Sequence, residues 1–395
     1  LNEIGAGGLK LFGKLESHNP MGSVKDRMAV EIIKAAHRRG ELVPGQTVVE
    51  ASSGNTGISL AMACALHRNP LVVVMAENFS LERRRLMRYL GAKVVLTPAA
   101  DKASGMLNKG RELAEQNGWF LVDQFRNQDN ARIHYETTAQ EILRDFGPYG
   151  LDYLVFGAGT GGTAEGVSRA FREISSPTRI YVCEPDNSPI FKAALSSGLH
   201  GAELEGESHS GFRPHVMQGI SPDFLPPFVS SMLSRNTIDA VLPVSGDGAL
   251  GTAKLLAQRS GLLCGISSGA AVAAVLENPS FFEPGSRVLC ILPDSAERYQ
   301  STPLFDDIPN GMTEAEKALS QSSSDSQLQP SGDVAPTAAE VGLAPTTENE
   351  CVSSVSEALN DPDNKVVMFS LEWCEFCWAL RKLFKTAGIN FLSVD

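Results

Sequence analysis

The stretch Leu151-Asp152-Tyr153-Leu154-Val155-Phe156-Gly157-Ala158-Gly159-Thr160-Gly161-Gly162-Thr163 joins an apolar, β-branched run to a glycine-rich turn that opens an amphipathic segment. A strand passing through glycines into a helix presents backbone N–H groups at the helix N-terminus, where an anion meets both hydrogen bonds and the helix dipole. Further apolar runs at Thr47–Glu50, Leu71–Met75, Lys93–Thr97, Arg179–Cys183 and Arg287–Leu292 alternate with amphipathic stretches such as Val24–Gly40 and Asn130–Phe146. This rhythm predicts an α/β protein whose parallel sheet is covered by helices on both faces.

The glycine loop alone admits two ligands. Gly157, Gly159 and Gly162 satisfy the dinucleotide pattern, and Glu184 ends the next strand, where a ribose-binding acid would stand. On that reading the chain is an NAD-dependent oxidoreductase. Thr160 and Thr163 instead offer hydroxyl donors suited to a terminal phosphate monoester. Both readings stay open on this loop.

Three other constellations sit where an α/β sheet presents its ligand crevice. Asn19-Pro20-Met21-Gly22-Ser23-Val24-Lys25-Asp26-Arg27 delivers a lysine into the first turn of a helix. Positive helix-end potential there favours the neutral amine that a Schiff base requires; an exposed, merely charged first turn has the same local sequence. Glu50-Ala51-Ser52-Ser53-Gly54-Asn55-Thr56-Gly57 precedes a helix over 58–66 and supplies hydroxyl, amide and backbone donors for a carboxylate. A serine cap explains only one or two of those positions. Cys264-Gly265-Ile266-Ser267-Ser268-Gly269-Ala270-Ala271 enters a helix over 271–276 and reads equally well as a capped, closely packed helix start.

The totals bound the partners. The chain has 395 residues, 43% of them hydrophobic, enough for well-filled cores. A formal net charge of −12 gives no general basic field for nucleic acid, and no apolar run has the length of a membrane-spanning helix. Neither nucleic acid nor a membrane is an expected partner. Cys64, Cys183, Cys264 and Cys290 lie in apolar surroundings and read as core thiols of the cytoplasm or another reducing compartment. Leu1 and Asp395 both read as cut ends, so targeting is left open.

In order and spacing, the four motifs resemble the cysteine synthase (O-acetylserine sulfhydrylase) family of fold-type II pyridoxal-phosphate enzymes, which includes cystathionine β-synthase. The resemblance covers about residues 9–305. It extends to Met75-Ala76-Glu77 before Ser80-Leu81-Glu82-Arg83-Arg84, and to Asp123-Gln124-Phe125 before Glu136-Thr137-Thr138. It implies two three-layer α/β subdomains, pyridoxal 5'-phosphate as cofactor, a small amino-acid substrate with a sulfur donor, and a homodimer. Lys25 would form the internal aldimine and move the α-proton, and Asn55 would meet the cofactor's phenolic oxygen. Gly159, Thr160, Gly161, Gly162 and Thr163 would hold the phosphate, and Ser267 would face the pyridine nitrogen. Ser52, Ser53, Thr56 and Gln124 would hold the substrate carboxylate. The implied reaction is β-replacement on an O-activated serine through an aminoacrylate, giving L-cysteine. A neutral serine at the ring nitrogen suits that elimination better than transamination. The stretches 184–192 and 213–223 depart from the family pattern, leaving cystathionine or another β-substituted alanine as an alternative product.

Residues 1–308 are thus expected to form the catalytic domain. Residues 309–350 are rich in serine, proline, alanine, threonine and glutamate and read as a flexible linker. Beyond it, a strand over 365–369 leads through Trp373-Cys374-Glu375-Phe376-Cys377 into a helix over 376–387. This resembles the first half of a glutaredoxin or thioredoxin-like domain over 351–395, with Cys374 and Cys377 as a redox pair. A zinc site would need two more ligands, so no metal is expected.

Overall fold

The computed structural model describes residues 7–147, 149–197 and 208–320, together with strands Val366–Phe369 and Phe391–Val394. Contacts divide the chain into Leu1–Ile308 and Pro309–Asp395. The first unit contains β1 (Lys10–Leu15), β2 (Val48–Ala51), β3 (Leu71–Ala76), β4 (Lys93–Thr97), β5 (Phe120–Leu121), β6 (Tyr153–Gly157), β7 (Arg179–Pro185), β8 (Ala240–Val244) and β9 (Arg287–Leu292).

These strands form two sheets, whereas the alternation by itself predicts one. The smaller has the order β4-β3-β2-β5 and the larger β1-β9-β6-β7-β8. All pairings within them are parallel. Helices Lys25–Arg39 and Asn55–His67 share a core with one face of the smaller sheet, and helix Lys102–Asn117 with the other. Helices Gly246–Ser260 and Ile266–Glu277 cover one face of the larger sheet, and Ala139–Phe146 and Gly162–Glu173 the other. Each sheet is therefore the middle of three layers, so its central strands are continuous apolar runs, as in the fully buried β3. Strand β8 has no counterpart in the sequence reading because Pro243 interrupts it; as the edge of its sheet it tolerates that proline.

The segment expected as one helix over 130–146 is interrupted. It runs as helix Gln128–Ile133, a wide π turn His134–Thr138 and helix Ala139–Phe146. Thr137 Oγ1 donates to the Ile133 carbonyl at 2.6 Å. At the same place helix Gly162–Glu173 crosses so closely that a Cβ on Gly166 would lie 2.2 Å from the Ala131 carbonyl oxygen. Periodicity in sequence carries no record of that crossing.

In the stretch 309–350, Glu314–Ser320 forms a short exposed helix rather than plain linker. Thr313 and Glu316 start it as a capping box: the Thr313 N–H donates to Glu316 Oε2 at 2.6 Å, and the Glu316 N–H donates to Thr313 Oγ1 at 3.3 Å. Strand β10 (Val366–Phe369) pairs in parallel with β11 (Phe391–Val394). Cys374, Cys377 and the helix expected over 376–387 lie outside the described residues.

Candidate active site

A cavity of about 150 Å³ opens at the carboxyl ends of β2, β6 and β9, where the two sheets of the first unit face each other. Lys25, Ser52, Ser53, Asn55, Thr56, Gln124, Gly159, Thr160, Gly161, Thr163 and Ser267 all line it. Five separated stretches of sequence thus meet in one place. Gly162 is the exception. Its N–H donates to Thr160 Oγ1 at 3.2 Å, and a Cβ there would collide with Asn130, so it shapes the loop from behind.

Lys25 opens helix Lys25–Arg39. Arg27 anchors that turn from outside, with Nε 2.8 Å from Glu16 Oε2 and Nη1 2.7 Å from Glu141 Oε1. The Lys25 amine forms no hydrogen bond or ion pair with a described residue. Burial lowers its pKa to about 8, against an opposing pull from Asp294. The expected direction holds, and desolvation is its main cause.

The loop after β2 is built by its own side chains. Ser52 Oγ accepts from the N–H groups of Gly54 and Gly57 at 3.1 and 2.9 Å. Thr56 Oγ1 donates to Gln124 Oε1 at 2.7 Å, and Gln124 Nε2 donates to the Ala51 carbonyl at 2.7 Å. Helix Asn55–His67 begins earlier than its apolar periodicity indicates, placing Asn55 and Thr56 in its first turn. Ser267 likewise falls in the first turn of helix Ile266–Glu277 and is buried.

In the glycine loop Gly161 has φ +87°, a left-handed conformation, and a Cβ on Gly159 would lie 2.2 Å from the Gly219 carbonyl oxygen. Asn130 Nδ2 donates to Thr160 Oγ1 at 3.1 Å. Thr163 Oγ1 stands 3.1 Å from Nε2 of the fully buried His134, whose Nδ1 meets Thr138 Oγ1 at 2.8 Å. Burial, with Lys25 and Arg27 nearby, pushes the His134 pKa well down. That shift disfavours a charged ring beside Thr163.

Several residues that matter here were not assigned roles from sequence. Asp294 follows β9 directly and is buried; its Oδ2 accepts from Asn55 Nδ2 at 2.6 Å and from the Tyr299 hydroxyl at 2.7 Å. Arg298 Nη1 donates to Asn55 Oδ1 at 2.8 Å. The Asn55 amide is therefore fixed in orientation, with one N–H left over. An acid just past the carboxyl end of an inner strand is the sequence signal that would have flagged Asp294. Glu50, beneath the Ser52 loop, is buried, and burial together with the Asp123 charge raises its pKa to about 8 against smaller opposing hydrogen bonds from Gln124 and Asp123.

The acid required by the dinucleotide reading is already committed. Glu184 is buried, and its two oxygens accept from the N–H groups of Phe191 and Lys192 at 2.7 and 3.0 Å, capping helix Ile190–Ser197. The thiols of Cys64, Cys183, Cys264 and Cys290 are free and buried, as expected.

Residues 2–294 match the family of pyridoxal-phosphate dependent enzymes. The chain belongs to that family. A cysteine synthase of Staphylococcus aureus is 38% identical over 75% of this chain and 89% of its own length. An O-ureido-L-serine synthase of Streptomyces lavendulae is 40% identical over 77% of this chain and 88% of its own. A crystal structure of O-ureido-L-serine synthase superimposes with a TM-score of 0.69 at 40% identity, covering 78% of this chain and 91% of that one. An O-acetylserine dependent cystathionine β-synthase from Helicobacter pylori gives 0.67 at 35% identity, covering 77% and 94%. The protein is a cysteine synthase-like, pyridoxal-phosphate-dependent enzyme, which removes the oxidoreductase alternative. The residues present suit that cofactor: a half-buried lysine amine, without a hydrogen bond or ion pair to a described residue, shares the cavity with a glycine and threonine loop at a helix N-terminus.

Proposed function

We propose that the chain forms L-cysteine by replacing the β-substituent of an O-activated serine, such as an O-acetylserine-like donor, with sulfide. The observation that carries this reading is the meeting of Lys25, the Ser52–Thr56 loop with Gln124, and the glycine and threonine loop in a single cavity. Lys25 would hold the cofactor through its amine and, once the substrate's amine has displaced it, would be the neutral base that takes the Cα proton. Ser52, Ser53, Thr56 and Gln124 hold the substrate carboxylate. Gly159, Thr160, Gly161 and Thr163 hold the cofactor phosphate with Gly162 behind them, and Asn55 and Ser267 orient the ring. Bound pyridoxal phosphate supplies the electron sink that makes the Cα proton removable.

Residues 351–395 would add a thiol–disulfide unit through Cys374 and Cys377, a reading supported by their spacing alone. The first experiment is an absorption spectrum of the purified protein before and after borohydride, followed by an assay for cysteine from O-acetyl-L-serine and sulfide. A visible band bleached irreversibly, with cysteine formed, is expected. A band without cysteine, but with another β-substituted alanine, would move the chain to a sister reaction. Equal turnover of disulfide-bound and free sulfur by the intact protein and by its Cys374→Ser variant would refute a role for the cysteine pair.

A further inference from the structure

Arg83 brings a positive charge into the cavity wall with no carboxylate to meet it. It is 2% exposed, lines the cavity, and among the described residues forms no ion pair. Nη1 donates to the Ser53 carbonyl at 3.2 Å and to Gln218 Oε1 at 2.8 Å. The guanidinium carbon stands 4.4 Å from the centre of the Tyr299 ring, and Nε is shut in without a partner. Nη2 makes no hydrogen bond with any described residue. Its stem packs on the Ser52–Thr56 loop so tightly that a Cβ on Gly54 would lie 2.2 Å from Arg83 Cδ.

A desolvated guanidinium held by neutral oxygens and a ring keeps its charge uncompensated, and an anion or strong acceptor is what completes such a site. The Ser52–Thr56 loop and Gln124 are already given to the substrate carboxylate. Gln218, the second partner of Arg83, belongs to the facing wall with Gly219 and Ile220. The free edge of Arg83 therefore serves the space between the walls, through which a β-substituent enters and leaves.

We propose that Arg83 is a specificity-determining residue that holds the acyl oxygens of the substrate's β-substituent. The assignment rests on the β-replacement reading above. As the Cβ–O bond breaks, its electron pair goes to the departing oxygen and gives a carboxylate, while the Cα proton goes to the Lys25 amine. A guanidinium is a two-pronged donor for that carboxylate. Lys25 and Arg83 are the only lysine or arginine among the described lining residues, so Arg83 is the one guanidinium there that can meet a departing carboxylate. Phe79, Met106 and Phe125 supply apolar wall for a short acyl chain.

The test compares O-acetyl-L-serine with β-chloro-L-alanine at saturating sulfide in the unaltered holoenzyme, Arg83→Met and Arg83→Lys. Both donors share the α-carboxylate, but only the first has an acyl oxygen. Arg83→Met is expected to lose about tenfold to a hundredfold more kcat/KM with the acetyl ester than with the chloride. Acetate affinity, read by titrating the visible band, should fall on the order of tenfold in parallel. Arg83→Lys keeps the charge without the fork and should lose roughly threefold or more on the same comparison; it decides the matter if the methionine variant does not fold. Equal losses with both donors, or unchanged acetate affinity, would mean that Arg83 only braces the Ser53 loop, and the assignment would be wrong. Failure of the unaltered enzyme to turn over either donor would instead refute the β-replacement reading itself.

Discussion

Replacing Glu50 by glutamine should stabilise the enzyme, and increasingly so as pH rises. The Glu50 carboxyl is 1% exposed and has its pKa raised from 4.5 to about 8, by burial first and by the Asp123 charge second, against smaller opposing hydrogen bonds from Gln124 and Asp123. A group that holds its proton more tightly folded than unfolded contributes stability that is complete below the unfolded pKa. That contribution is lost as pH climbs through the folded one. The window here therefore runs from about pH 4.5 to about pH 8. At 1.36 kcal/mol per unit the shift sets a ceiling of about 5 kcal/mol, and local relaxation and water entry reduce this to roughly 2–3 kcal/mol. Glutamine has the shape of the protonated acid and cannot ionise. For a unit of this size the gain corresponds to about 3–5 °C in melting temperature at pH 8.5, against little difference at pH 5. Thermal unfolding of both proteins at half-unit steps across that range reads it directly. Melting curves that stay parallel from pH 5 to pH 8.5 would refute a protonated Glu50.

Other outcomes follow from the same cavity. Because burial lowers the Lys25 amine to about 8, borohydride-trapped cofactor in the stripped protein should rise with pH around that midpoint; a midpoint above 10 would refute the burial argument. At pH 7.5 roughly a quarter of the amine would be neutral, against about a thousandth for an ordinary lysine. Lys25→Ala should abolish turnover while cofactor still binds noncovalently through the 157–163 loop, and near-normal activity in that variant would remove Lys25 from the mechanism. Ser267→Asp should impair β-replacement more than Ser267→Ala, since an added carboxylate would hold the ring nitrogen protonated. Equal and negligible effects on rate would separate Ser267 from the cofactor.

Much of the cavity was legible because its parts are local signals. Lys25, the Ser52–Thr56 loop, the glycine loop and Ser267 each sit at a turn entering a helix, and turn chemistry is written in consecutive residues. What escaped was long-range. Asp294 meets Asn55 across more than two hundred residues, and no property of Pro293-Asp294-Ser295 alone announces that partner. Arg83 stood inside a recognised motif, yet its burial without a counter-ion depends on how helix Leu81–Tyr89 lies on Gly54. The split into two sheets was equally invisible to alternation, because strand–helix rhythm records which elements exist and not where the chain changes sheet. β5 is only two residues long, too short for any periodicity to register.

The strand order of the larger sheet bears on how the enzyme is made. β9 lies between β1 and β6, pairing Lys10 with Arg287 on one side and Tyr153 with Val288 on the other. During synthesis the first strand must wait, unpaired on that side, until nearly three hundred residues have left the ribosome. The smaller sheet, complete by Leu121, can close long before. Such distant pairing is slow, and it leaves the nascent larger sheet with an open, sticky gap. Asp294 arrives directly behind β9 and locks Asn55 only then. A chain released early would carry the lysine and both loops in its sequence, and yet have no assembled cavity in which to use them.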